Sequence, residues 1–180
     1  MNKTLLSSAL VAVMAAVAFA PSAQATDGTI NFTGAVTGST CTVQINGAAG
    51  PATVTLPTVS TTALSASGAT AGQTAFKINL SGCAGSPTAT KASTFFENGP
   101  TVNAAGRLAN TGTATGVDVQ LVNSDNSVIT AGSAAPTTGA GVATITANAA
   151  TLNYYARYYA TAAATAGTVA SSVQFSVIYQ

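Results

Sequence analysis

Apolar and polar positions alternate with a period of two along most of the chain, a pattern that predicts β-strands rather than helices. Residues 29–37 place Ile30, Phe32, Gly34 and Val36 on one face. Residues 41–45 alternate and stop at Asn46-Gly47, a pair suited to a tight hairpin turn because both residues tolerate positive φ. A short run at 53–56 ends at Pro57, and a clearer one at 75–80 aligns Phe76, Ile78 and Leu80 before Cys83. A weaker run at 94–96 is closed by Asn98-Gly99-Pro100. Residues 117–121 alternate cleanly and lead into the polar cluster 123–126, a turn signal. Further runs occupy 142–145, 152–159 and 173–179, the last with Val173, Phe175, Val177 and Tyr179 in phase. Ala-rich residues 160–166 are interrupted by Thr and carry no apolar stripe, so they read as a loop or short turn. Many short strands punctuated by Gly, Asn and Pro predict one all-β domain, an antiparallel sandwich. The runs differ too much for a solenoid repeat, and no linker divides them.

The N-terminus departs from this pattern. Lys3 precedes an apolar run from residue 5 to 20, Pro21 breaks it, and Ala23-Gln24-Ala25 supplies a small-x-small cleavage site. The run is shorter than the roughly 20 residues that span a bilayer. Residues 1–25 therefore read as a secretory signal, in preference to a retained anchor, and the exported chain is expected to begin near Thr26 with no membrane span.

Charge then removes whole classes of partner. Beyond Lys3, four cations (Lys77, Lys91, Arg107, Arg157) face four anions (Asp27, Glu97, Asp118, Asp125), so the exported chain is neutral. Charged residues make up 5% of the chain, against about 25% in an average soluble protein. No basic patch exists to engage nucleic acid or an anionic membrane. Disorder is not expected either, because it goes with low hydrophobicity and high net charge.

An exported chain with two cysteines predicts one disulfide, Cys41–Cys83, worth about 4 kcal/mol in the loop-entropy account. A redox or metal pair would need close spacing or histidines, and the chain has no histidine. That absence excludes a Ser-His-Asp triad, a Cys-His dyad and ordinary zinc sites. Glu97, Asp118, Asp125 and Asp27 read as solvated surface charges, Asp118 on the outward face of its strand. No catalytic residue, cofactor or metal is assigned.

The ordered motifs resemble the major subunits of type 1 fimbriae, the chaperone–usher pilins. Residues 28–36 followed by Cys41 look like the family's donor segment. Phe76-Lys77-Ile78-Asn79-Leu80-Ser81-Gly82-Cys83 is similar to its second-cysteine strand, residues 116–121 to its central strand, and Tyr155-Ala156-Arg157-Tyr158-Tyr159 to its aromatic-Ala-Arg-Tyr block. The penultimate Tyr179 matches as well. The resemblance covers the whole exported chain and departs from the pattern mainly in low charge.

It implies an incomplete immunoglobulin-like antiparallel β-sandwich lacking its last strand, completed by a donor strand from another subunit. It also implies a division into a signal (1–25), a donor-strand extension (26–38) and a pilin domain (39–180). On this reading Ile30, Phe32, Gly34 and Val36 are the donor residues. Val173, Phe175, Val177 and Tyr179 pair with a chaperone and then line the acceptor groove, since the final run reaches Gln180. The implied partners are identical or related pilins, a periplasmic chaperone and an outer-membrane usher, and the implied place is a fimbria on the cell surface. Two other readings stay open: 29–36 as an ordinary first strand of its own domain, and the chain as a minor, tip-adaptor or sugar-binding subunit. A separate lectin domain is not expected in a chain of this length.

Overall fold

The structure, a computed structural model, describes residues 29–34, 36–85 and 88–180. The expected signal segment and Asp27 lie outside the described residues. The chain falls into two units, Met1–Ala35 and Val36–Gln180. Of the first, residues 29–34 belong to no helix or strand and are exposed.

The second unit is a two-sheet sandwich. Its strands are β1 (Thr40–Ile45), β2 (Thr70–Ala84), β3 (Lys91–Phe96), β4 (Leu108–Ala109), β5 (Val117–Asn123), β6 (Val128–Ile129), β7 (Val142–Thr144), β8 (Ala150–Ala160) and β9 (Phe175–Tyr179). One sheet runs β1-β2-β8-β5-β4, with β6 also on β5; the other runs β7-β3-β9. Every pairing is antiparallel. Two short 3-10 turns, Thr61–Leu64 and Gly139–Gly141, are the helical elements among the described residues.

Local sequence accounts for the best-formed parts. Asn46 and Gly47 take φ of 52° and 86°, and Ile45 and Ala48 exchange both backbone hydrogen bonds at 2.9 and 3.0 Å. This tight turn ends β1 and reverses the chain, as the Asn-Gly pair predicts. The inward residues of β2, β8 and β5 include Ile78, Leu80, Leu152, Tyr154, Val119 and Leu121, and they form one core with Phe96 of the facing sheet. Tyr154 spans that core. Its ring meets Phe96 edge-on at 5.3 Å and Phe76 at a tilt at 5.5 Å, within the range where aromatic pairs attract.

Two expectations are corrected. Residues 53–56 alternate in exposure but form no strand, because no backbone among the described residues pairs with them to complete a ladder. Asp118 is not a solvated charge: it is 8% exposed. The segment 103–107 folds back over the outer face of β5, where Arg107 Nε and Asn103 Nδ2 donate to Asp118 Oδ2 at 3.0 and 2.8 Å. The Arg107 guanidinium lies 4.2 Å from the centre of the Tyr159 ring. Beside it, Arg157 Nε and Nη2 both donate to the buried Gln120 Oε1, at 2.9 and 2.8 Å. Both faces of β5 are covered as a result. The strands β4 and β6 were not expected from sequence; each is a two-residue piece whose pairing comes from β5.

Two predictions follow from these contacts. Removing the cation that serves Asp118 leaves a buried carboxylate short of a charged partner. Arg107→Met is expected to lower unfolding free energy by about 1–3 kcal/mol in denaturant titrations. Burial raises the Tyr154 phenol above its ordinary value of 10.0. The unfolded chain ionises that phenol first, so its contribution is complete below this pH and is lost as pH rises further. Tyr158, raised by burial in the same direction, adds to the loss. Tyr154→Phe is expected to lessen the alkaline fall in stability, read from melting temperatures above neutral pH.

Candidate functional site

The two sheets do not close along one side of the sandwich. There β1 ends the first sheet and β9 ends the second, and between these edges lies a groove of about 1350 Å³. Its floor is apolar, built from Phe76 and Ile78 of β2, Val119 and Leu121 of β5, Ala156 of β8 and Leu108 of β4. One wall carries Val54 and Leu56, the other Val169, Val173 and Phe175. Along each wall the side chains alternate between half-buried and exposed, as a strand's would.

The two walls are held differently. No hydrogen bond engages the backbone of residues 53–56 among the described residues. Residues 165–174 form no strand and are stitched mainly to neighbouring loops, with Ser171 Oγ donating to the Ala109 carbonyl of β4. Thr113 and Thr168 each donate a backbone N–H to the other's Oγ1, at 3.1 and 2.9 Å, and Asn110 Oδ1 accepts from Ala170 N–H. Gly112 and Gly167 permit this approach, since a Cβ on either would collide with backbone of the opposing segment. Beyond residue 174 the chain joins β3 as β9, while its other edge carries no partner strand.

Cys41 and Cys83 are disulfide-bonded, with Cα atoms 4.1 Å apart, tying β1 to β2 as expected from the sequence. The bond sits beside a cross-sheet contact, in which Cys41 N–H donates to the Tyr179 hydroxyl at 3.2 Å. Tyr179 thus links the two sheet edges at one end of the groove. Among the described residues Glu97 is the one charged residue lining the groove, and its carboxylate accepts from Ser176 Oγ at 2.6 Å. An occupant is therefore selected by shape, apolar contact and backbone hydrogen bonding rather than by charge.

The residues singled out from the sequence divide into two sets. Val173 and Phe175 line the groove, and Val177 and Tyr179 continue the same strand with their side chains packed on the core. Ile30 and Phe32 are 79% and 89% exposed, and Val36, at the start of the second unit, is 95% exposed. Gly34 has no atom within 4 Å of where a Cβ would stand. Sequence reasoning did not assign Val54, Leu56, Val169 or the floor residues to a site. For Val54 and Leu56 the signal was present as alternation but was read as an ordinary strand.

A family model described as "Type-1 fimbrial protein, A" matches residues 56–180. The "Major fimbrial subunit SMF-1" of Stenotrophomonas maltophilia is 46% identical over 165 residues, 87% of this chain and 95% of that protein. Among solved structures, the P pilus rod subunit PapA superposes with a TM-score of 0.59 at 18% identity, covering 77% of this chain and 99% of that one. A chaperone–usher pilus subunit gives 0.57 at 24% identity, covering 89% and 100%. These two share the fold.

Cutting the disulfide tests how far β1 depends on it. A Cys41→Ala/Cys83→Ala chain is expected to lose about 2–5 kcal/mol of stability. Chemical denaturation of oxidised, reduced and substituted chains checks this.

Proposed function

The chain belongs to the type-1 fimbrial protein family, and from that premise we propose that it is a structural subunit of a chaperone–usher fimbria that polymerises by strand donation. The observation that carries this reading is the open groove, with its apolar floor and the unpartnered edge of β9. Exposed apolar side chains and unpaired strand edges invite a further strand. A strand added at a sheet edge gains affinity from backbone hydrogen bonds and specificity from alternate side chains.

The exposed, alternating Ile30, Phe32 and Val36 match that demand. Burying each contributes about 1.5–3 kcal/mol. Gly34 suits a point where the receiving backbone comes close. In this reading residues 26–38 of one subunit enter the groove of the next, beside Val173, Phe175, Val177 and Tyr179. Before assembly a periplasmic chaperone covers the same edge, and an outer-membrane usher delivers the subunit to the cell surface. The subunit's part is structural, and no step of it requires catalysis or a cofactor.

Cells expressing Phe32→Asp are expected to assemble at least about tenfold less fimbrial mass, because an unpaired carboxylate costs several kcal/mol to bury in an apolar groove. Deleting residues 26–37 is expected to leave a subunit that accepts a neighbouring strand but donates none. Electron microscopy of cells and chaperone co-purification read both outcomes. Long fibres built from the deleted subunit alone would overturn the proposal.

A further inference from the structure

We propose that Asn46 is a self-modification site, at which the backbone nitrogen of Gly47 converts the side-chain amide to a mixture of aspartate and isoaspartate. The site lies in the turn that ends β1 and does not depend on the strand-acceptance reading. The conversion needs an electrophilic side-chain carbonyl and, next to it, a backbone nitrogen that is open and not engaged elsewhere. Asn46 and Gly47 are both exposed, and no atom lies within 4 Å of where a Cβ on Gly47 would stand. The missing side chain leaves the approach to the Gly47 nitrogen clear. Its N–H has no hydrogen-bond partner among the described residues. Asn46 Oδ1, in turn, accepts the Lys77 N–H at 2.9 Å. That donor draws electron density from Cγ and stabilises the negative charge that grows on Oδ1 during attack, as an oxyanion-hole donor does.

The Gly47 nitrogen gives up its proton to hydroxide and bonds to Asn46 Cγ. The Cγ–Nδ2 bond breaks, and Nδ2 takes a proton from water and leaves as ammonia. The result is a five-membered cyclic imide. Water then adds to one of its two carbonyls. Breaking the bond from the Gly47 nitrogen to Cγ leaves aspartate; breaking its bond to the backbone carbonyl carbon leaves isoaspartate, with the main chain routed through Cγ. Amide and water become acid and ammonia, with no oxidant or further reactant. Ring closure twists the turn. The segment beyond it can follow, because no hydrogen bond engages the backbone of residues 49–59 among the described residues.

The chain's other Asn-Gly pair, Asn98-Gly99, is held differently. The Gly99 N–H donates to the Glu97 carbonyl at 2.9 Å. Asn98 Cβ lies 2.9 Å from where a Cβ on Gly132 would stand, so the side chain is packed against that backbone. Asn98 thus lacks both the unengaged nitrogen and the freedom to turn. At Asn46 the product adds a negative charge to a chain whose four cations and four anions beyond Lys3 balance. It does so where the chain leaves β1, between the groove-lining Ile45 and Gly50.

The test is prolonged incubation of the purified protein at mildly alkaline pH, followed by peptide mass spectrometry that separates aspartate from isoaspartate. Asn46 is expected to convert at least about tenfold faster than Asn98. Isoaspartate is expected among the products, since direct hydrolysis of the amide cannot form it. In strong denaturant the two rates are expected to converge, because the difference belongs to the fold. An Asn46 that stays an amide, or that converts no faster than Asn98 in the folded protein, would overturn the proposal. So would conversion to aspartate alone, or a rate difference that persists in denaturant.

Discussion

Each backbone N–H and C=O that leaves water needs a partner, and in the second unit of this protein the edge of β9 beside the apolar groove carries none from a strand. The sandwich has two sheets, and on one side their edges, β1 and β9, face each other across a groove. An immunoglobulin-like sandwich is stable when a strand fills that place, because the same strand pairs with the edge and caps the core. Here the core is only half covered at Phe76, Val43, Val173 and Phe175. Most of the remaining architecture holds the groove open in a defined shape while it is unoccupied.

Several devices do this without using the missing strand. The disulfide anchors β1 to β2, and Tyr179 links β1 to β9 at one end. The wall at 165–174 is fastened by reciprocal Thr113–Thr168 bonds and by Asn110, with glycines placed where the segments approach most closely. Residues 53–56 have no such fastening among the described residues, and Leu56 is the side chain of that wall packed against the core. A cavity between one tied wall and one untied wall admits a strand at a lower cost of rearrangement than a closed sandwich would.

The scarcity of charge fits the same picture. Ion pairs at a surface contribute little and weaken with salt. The one salt bridge among the described residues, Arg107–Asp118, is shielded on the outer face of β5 and serves the fold rather than the groove. The groove's recognition is therefore apolar and hydrogen-bonded, which suits a contact that persists in changing ionic surroundings.

Period-two alternation marked most of the longer strands, because each has one face in the core and one outside. The Asn46-Gly47 turn and the pairing of Cys41 with Cys83 were equally legible, since each rests on local chemistry or on a count with one solution. The sequence by itself determined an all-β chain with few charges, no histidine chemistry and an apolar run ahead of the first cysteine. Tertiary structure decided the rest. Whether 53–56 is a strand depends on a neighbour, and none among the described residues pairs with it. Whether Asp118 is solvated depends on the segment 103–107 that folds over it. The strands β4 and β6 exist because β5 offers them an edge. Thr94 acts on the Tyr154 phenol only because β3 and β8 face one another across the core. Alternation tells which side of a strand is apolar; what covers that side is set by contacts between residues far apart in the chain.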